Sequence, residues 1–286
     1  MGPDVVDVAL CTWSNVAIPA ILVGCEMIPF CETKISEIER IQSQVAKFAL
    51  GVSSNSPNVC AQSELGLKPF RQLLYQCQLK FYNRALFIHK DRWVHQALMD
   101  HMSGDWNSPY LQYISKIRGL MSMFKPEHKP SVMKSLANEY FLAKTNSLLT
   151  SYSWLMPLKS FARCSYVCEN EFSTVIAEFK LDCANLGNKQ PRQGHVRKPF
   201  CPVCPNNVPN TGIHLLFSCG SVAALRLETG IQSYISQCLM NDLTLNESYR
   251  NYVNGLTVQG KPITQQEYIE RGKTMKDMRQ LWLSKW

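Results

Sequence analysis

This sequence predicts a mainly α-helical protein, and three observations support that reading. Apolar residues recur every three or four positions in successive stretches, as in Ile35, Ile38, Ile41, Val45 and Phe48. No stretch alternates apolar and polar residues over the length of a strand. One segment, 201–219, instead carries cysteine and histidine at metal-ligand spacing, C-x2-C-x9-H-x4-C. The expected architecture is a helical bundle, a small CCHC metal-held module and a helical tail. With 45% hydrophobic residues in 286, the chain can bury a sizeable core.

At the N-terminus the apolar run Val16 to Cys25 is ten residues long and contains Pro19, short of a membrane span. Asp4 and Asp7 replace the lysines of a signal peptide. Scattered cysteines without a secretory signal point to a reducing compartment, so the expectation is an intracellular protein, nuclear or cytoplasmic, with no membrane partner. Residues 34–50 read as an amphipathic helix with Lys34, Glu37, Arg40, Gln44 and Lys47 on its polar faces, ended by Gly51. Ser56-Pro57 supplies an N-cap and a preset first turn for a short helix closed by Gly66. Pro69 opens a longer helix through Phe70, Leu73, Leu74, Cys77, Phe81, Ala85 and Ile88, reaching His89. Val94, Leu98 and Met102 mark the next helix, followed by Ile114, Ile117, Met121 and Phe124, and then by Val132, Leu136, Tyr140 and Ala143. The chain divides into a helical region over 1–150, a connecting helical segment over 151–188, a basic strip with the metal module over 189–222, and a helical tail over 223–286.

Cys201, Cys204, His214 and Cys219 are the candidate metal ligands, and Zn2+ is the expected ion. Zinc takes thiolate and imidazole at the corners of a tetrahedron, and a C-x2-C turn delivers two thiolates from one knuckle. Pro202 and Pro205 stiffen that knuckle. Asn206, Asn207, Pro209, Asn210 and Gly212 form a turn-rich link with too little apolar surface to order itself, a task for the metal. The competing reading is plain core cysteine, since twelve cysteines produce chance pairs. Cys164 and Cys168 lie one helical turn apart with no third ligand nearby and are taken as core.

Residues 183–227 hold Lys189, Arg192, Arg197, Lys198 and Arg226 and no Asp or Glu, giving five formal positive charges, or four with zinc and three thiolates in place. Lys189, Arg192, Arg197 and Lys198 are the candidate nucleic-acid contacts, because Lys and Arg release counterions when they neutralise phosphates. A solvated surface is the alternative. In the tail, Ile269, Met275, Met278, Trp282 and Trp286 interleave with Arg271, Lys273, Lys276, Arg279 and Lys285, the pattern of a basic helix packed on its own bundle, with docking on nucleic acid or an acidic partner as the weaker alternative.

The stretch 191–220 resembles the zinc-binding segment downstream of the reverse transcriptase in non-LTR, LINE-like retrotransposon polyproteins. Cys201, Pro202, Cys204, Thr211, His214, Leu215, Leu216 and Cys219 match that pattern, and Asn210 stands where the family usually has Glu. Residues 17–70 resemble the thumb of the same polyproteins at Gly24, Glu26, Glu39, Gln42, Leu50, Gly51, Ser56, Pro57, Glu64, Leu65, Gly66 and Pro69, with Val23 where an aromatic is usual. The resemblance covers roughly 17–90 and 180–222. It implies a thumb-like bundle gripping a template-primer duplex and a zinc module holding element RNA or target DNA.

Catalysis is not expected of this chain. Polymerase chemistry needs paired carboxylates to share Mg2+, and the sequence has no Asp-Asp pair. Beyond Cys219 the acidic pattern of a restriction-like endonuclease is missing as well, since Asp242 is flanked by Asn241 and Leu243. The expectation is a truncated, non-enzymatic, RNA- or DNA-binding fragment, with a catalytic palm supplied, if at all, by a partner chain. The alternative is a structural or protein-interaction module whose zinc only staples the fold.

Overall fold

In the computed structural model the described residues are 3–26, 30–103, 130–152, 155, 157–164, 172–181, 200–205 and 207–284. They are mainly helical, and among them the only β pairings are two isolated bridges, Phe200 with Pro209 and Leu256 with Pro262. Helix α1 (Pro3–Thr12) runs through a π turn (Trp13–Ala17) directly into α2 (Ile18–Leu22). The π turn is closed by the Ile18 N–H on the Trp13 carbonyl, and the wider turn makes room for the ring of Pro19. Pro19 therefore does not interrupt the helix, which corrects the expected short apolar run: Val5–Leu22 is 18 residues with a mean hydropathy of 1.7, long and apolar enough to cross a membrane. Val6, Trp13 and Ile18 are nonetheless buried against the rest of the protein, and Asp7 pairs with Arg163 at 2.6 Å.

Helix α3 (Glu32–Leu50) ends where expected, with Gly51 at φ 67 as its left-handed cap. Its buried face is only in part the one the apolar period predicts: Ile35 is buried, and Ile38 and Val45 pack beside it. Phe48 is 59% exposed and Ile41 40%, while Gln42, Ser43, Ala46, Ala49 and Leu50 are buried with Ile35. The reason is helix α4 (Asn58–Glu64), which packs closely along α3 through small residues of its own, Cys60, Ala61 and Ser63. Side-chain amides take over part of the packing: Gln62 donates to Ser43 Oγ at 2.7 Å and Gln42 to the Lys68 carbonyl at 2.8 Å. Burial on small and polar residues leaves no apolar period to read.

Ser56 is buried, and its hydroxyl donates back to the Ser53 carbonyl; Pro57, not Ser56, is the N-cap of α4. Helix α5 (Phe70–Phe87) starts after Pro69 and stops short of His89, because Ile88 is extended. Helices α6 (Trp93–Ser103) and α7 (Pro130–Leu149) match two further expectations, while Ile114, Ile117, Met121 and Phe124 lie outside the described residues. Gly66 must be glycine: at φ +66, an added Cβ would lie 2.5 Å from the Ala162 and Arg163 backbone.

Helix α8 (Ser173–Lys180) joins the two ends of the chain. Lys180 and Glu64 form a fully buried ion pair at 2.7 Å, and Cys164 beside them is pushed by burial to a pKa of about 12. After the cysteine-bearing segment come α9 (Ala223–Glu228), α10 (Ile231–Met240), α11 (Leu245–Val253) and α12 (Gln265–Leu283). The last two open on complete capping boxes, Thr244 with Glu247 and Thr264 with Glu267. One core runs from Val6 through Ile176 and Phe179 to Met275, Met278 and Trp282, and it includes Cys201, Leu215, Leu216, Phe217 and Cys219. Three of the tail's cations are engaged at home. Arg271 stacks over Tyr252 at 4.5 Å and Tyr234 at 5.0 Å, Lys276 lies over Phe172 at 5.2 Å, and Arg279 pairs with Glu178.

Candidate metal centre

Two short segments build the site. Cys201 and Cys204 sit on a knuckle held by the Cys201 N–H on the Val208 carbonyl at 2.8 Å, beside the Phe200–Pro209 bridge. His214 opens a π turn (His214–Ser218) that ends at Cys219. Thr211 starts that turn by accepting the His214 N–H on its hydroxyl at 3.1 Å. Along an α-helix, residue 219 would lie about 140° round the axis from residue 214. The π turn instead closes the Cys219 N–H on the His214 carbonyl at 2.7 Å and brings both side chains to one side.

Two of the six ligand–ligand edges match tetrahedral coordination. The four ligand atoms lie within 4.8 Å of one another, and this is the only such group among the described residues. Cys201 Sγ to Cys219 Sγ is 3.7 Å and Cys204 Sγ to Cys219 Sγ is 3.8 Å. A tetrahedron with metal–sulfur arms of about 2.3 Å has edges of about 3.8 Å. The full spread is wider than the roughly 4 Å that such bond lengths predict. This set can hold a metal ion.

Its histidine is prepared for the role. Ser218 Oγ lies 3.2 Å from His214 Nδ1 and 3.3 Å from the His214 carbonyl, so it can accept the ring proton of the Nδ1–H tautomer while donating its own to the carbonyl. Nε2 is buried with no hydrogen-bond partner, and in that tautomer its lone pair is free to coordinate. An orphaned buried ring nitrogen is costly unless a ligand completes it, and a cation among three sulfurs would do so. Burial, and then the nearby Arg226 guanidinium, hold the imidazole below its usual pKa, in the neutral form that coordinates.

Donors converge on the sulfurs. Burial pushes the Cys201 thiol up, but the backbone N–H groups of Val203 and Cys204, the Trp282 indole and the Cys219 thiol outweigh it and leave Cys201 below the ordinary thiol value. Cys219 is pushed by burial to about 11, although Ser221 Oγ contacts its sulfur at 3.0 Å. The Gly220 N–H approaches Cys204 Sγ at 3.5 Å. Arg226 donates from Nη1 to the Cys219 carbonyl at 2.7 Å and is only 6% exposed. Burial pulls its pKa below the ordinary arginine value, opposed by the Cys219 and Cys204 sulfurs.

All four predicted ligands are thus brought together, and Cys201, His214 and Cys219 are buried within the main core. The link expected to rely on a metal for its order is also packed by protein: Asn210 is 1% exposed, and Gly212 lies against the Tyr249 hydroxyl and the Phe179 ring with no room for a Cβ. Arg226, counted in sequence with an exposed basic strip, is buried instead. Lys189, Arg192, Arg197 and Lys198 lie outside the described residues. Sequence reading missed Ser218, Ser221, Arg226 and Trp282 as neighbours of the ligands. Only the fixed i+4 spacing of His214 and Ser218 could have revealed one of them.

Comparison of the chain with protein-family models, with curated proteins and with solved structures finds no match.

Proposed function

We propose that Cys201, Cys204, His214 and Cys219 bind one structural Zn2+ and that the chain is a non-catalytic nucleic-acid-binding fragment resembling the thumb and zinc-bearing region of non-LTR reverse transcriptases. The observation that carries the metal reading is the convergence of the four ligand atoms, with two sulfur–sulfur edges of 3.7 and 3.8 Å and an orphaned Nε2. Three thiolates and one imidazole form a closed, soft donor set that suits zinc and leaves no open position for chemistry. When bound, the ion crosslinks the knuckle to the His214–Cys219 turn. Purified protein should carry about one zinc per chain. Cys201→Ser with Cys204→Ser should carry none, and equal zinc in both would reject the assignment.

The nucleic-acid reading is supported by the resemblance and by a formal charge of +8, with Lys189, Arg192, Arg197 and Lys198 as the contacts. RNA or DNA held through phosphates weakens steeply with salt. Neutralising the four residues together should make the log-log salt slope shallower by up to about 0.9 per lost contact. Supplied with primer-template, deoxynucleotides and Mg2+, the chain should extend nothing. A second reading, a zinc-stapled scaffold that binds protein and no nucleic acid, is favoured by the burial of three ligands in the core and by the engagement of the tail's cations with its own aromatic rings. No binding by the parent protein at low salt would decide for it.

A further inference from the structure

We infer that Arg226 is the fixed countercharge of the metal centre, setting it for a divalent ion held by three thiolates. The inference rests on the metal reading above and concerns what makes that site bind. A divalent ion with three thiolates and a neutral imidazole carries a net charge of −1. Placed in a core, such a centre is costly unless an opposite charge is fixed beside it.

Arg226 supplies that charge. Its residue is 6% exposed, and Nη1 is held on the Cys219 carbonyl at 2.7 Å, so the guanidinium is anchored to the backbone of a ligand and not free to reach solvent. Its Nε is buried without a hydrogen-bond partner. Among the described residues no carboxylate forms an ion pair with it, in contrast to Lys180, Arg279, Arg163 and Arg71, each of which has one. The Cys219 and Cys204 sulfurs are the neighbours that favour the charged form of Arg226, and they become anionic thiolates when they hold a metal. A lone buried cation and a lone buried anionic centre are each unfavourable, whereas together they sum to zero. Arginine suits this position because its charge persists when buried and its planar fork bonds the Cys219 carbonyl. Arg226 is a positioning residue: it touches the ligand's backbone and would act on the ion through the ligands' charge.

The test is a cycle of Zn2+ affinities measured by chelator competition, with the tetrahedral Co2+ absorption band as a check on geometry. Arg226→Gln should weaken Zn2+ binding by about 10- to 100-fold, the usual effect of losing an outer partner of a metal ligand. Arg226→Lys, which keeps the charge and loses the fork, should stay much closer to the parent. Cys204→His brings the metallated centre to zero net charge; in that background Arg226→Gln should lose most of its effect. If Arg226→Gln folds only with metal, the midpoint of its Zn2+-driven folding gives the same comparison. Unchanged affinity in Arg226→Gln, a loss just as large in the Cys204→His background, Lys no better than Gln, or a Gln variant that no Zn2+ concentration folds would each overturn the assignment. A parent that binds no Zn2+ would overturn the metal reading itself, and with it this inference.

Discussion

Removing the metal should destabilise the whole C-terminal half and not only a surface knuckle. The ligands bracket Leu215, Leu216 and Phe217, all buried, and Phe217 meets Tyr249 and Tyr252 edge-on at 6.1 Å each. Trp282, in the last turns of α12, is 1% exposed and shares the core with Cys201. A ligand that binds only the folded state stabilises it by about 2.7 kcal/mol at 100 times its dissociation constant and about 4.1 at 1,000 times. For a chain of this size each kcal/mol moves the melting temperature by roughly 2–4 °C. Zinc in that range should therefore raise Tm by roughly 5–16 °C over chelator-treated protein. Circular dichroism follows the helices and tryptophan fluorescence follows the Trp282 environment; both should shift together in one transition. A protein shown to hold one zinc per chain, yet melting at the same temperature with and without it, would refute the argument that the ion ties these elements together.

Other perturbations test separate parts of the reasoning. Ser218→Ala should remove the hydroxyl that sits on His214 Nδ1 and weaken Zn2+ binding by about 10-fold or more, with little change in the melting temperature of metal-free protein. Gly66→Ala should cost about 1–3 kcal/mol from its left-handed backbone alone, plus a clash with the 162–163 backbone; Gly230→Ala, at φ +73 with open space around it, should cost less in urea denaturation. Thr264→Ala should cost about 1 kcal/mol as a lost N-cap. Glu267 accepts from the backbone and side chain of Thr264, which hold its pKa below the ordinary carboxylate value. That depression stabilises the fold above the unfolded pKa and is lost as pH falls through the folded one, so Glu267→Gln should flatten the acid limb of a stability–pH curve.

Much of the fold is legible in the chain because helix signals are local. Gly51, Gly66 and Pro69 punctuate the helices where they stand in sequence, and the four ligands announce themselves by spacing alone. Faces are harder to read. Helix α3 offers an apolar row ending in Phe48, but α4 meets it along Ser43, Ala46 and Ala49, since close approach favours small side chains over large ones. Pro19 gave the appearance of a break because a single-residue rule cannot foresee a π turn.

The sequence by itself determined the helices punctuated by Gly51, Gly66 and Pro69 and which four residues can share an ion, because caps, turn residues and ligand chemistry act over a few positions. Tertiary structure alone decided what surrounds that ion. Arg226 lies seven residues from Cys219, and Trp282 is 81 residues beyond Cys201, and nothing in their local patterns marks them as neighbours of the sulfurs. They meet there because α12 packs across the π turn and α8, and burial in that shared core removes the water that would otherwise serve the sulfurs and the guanidinium.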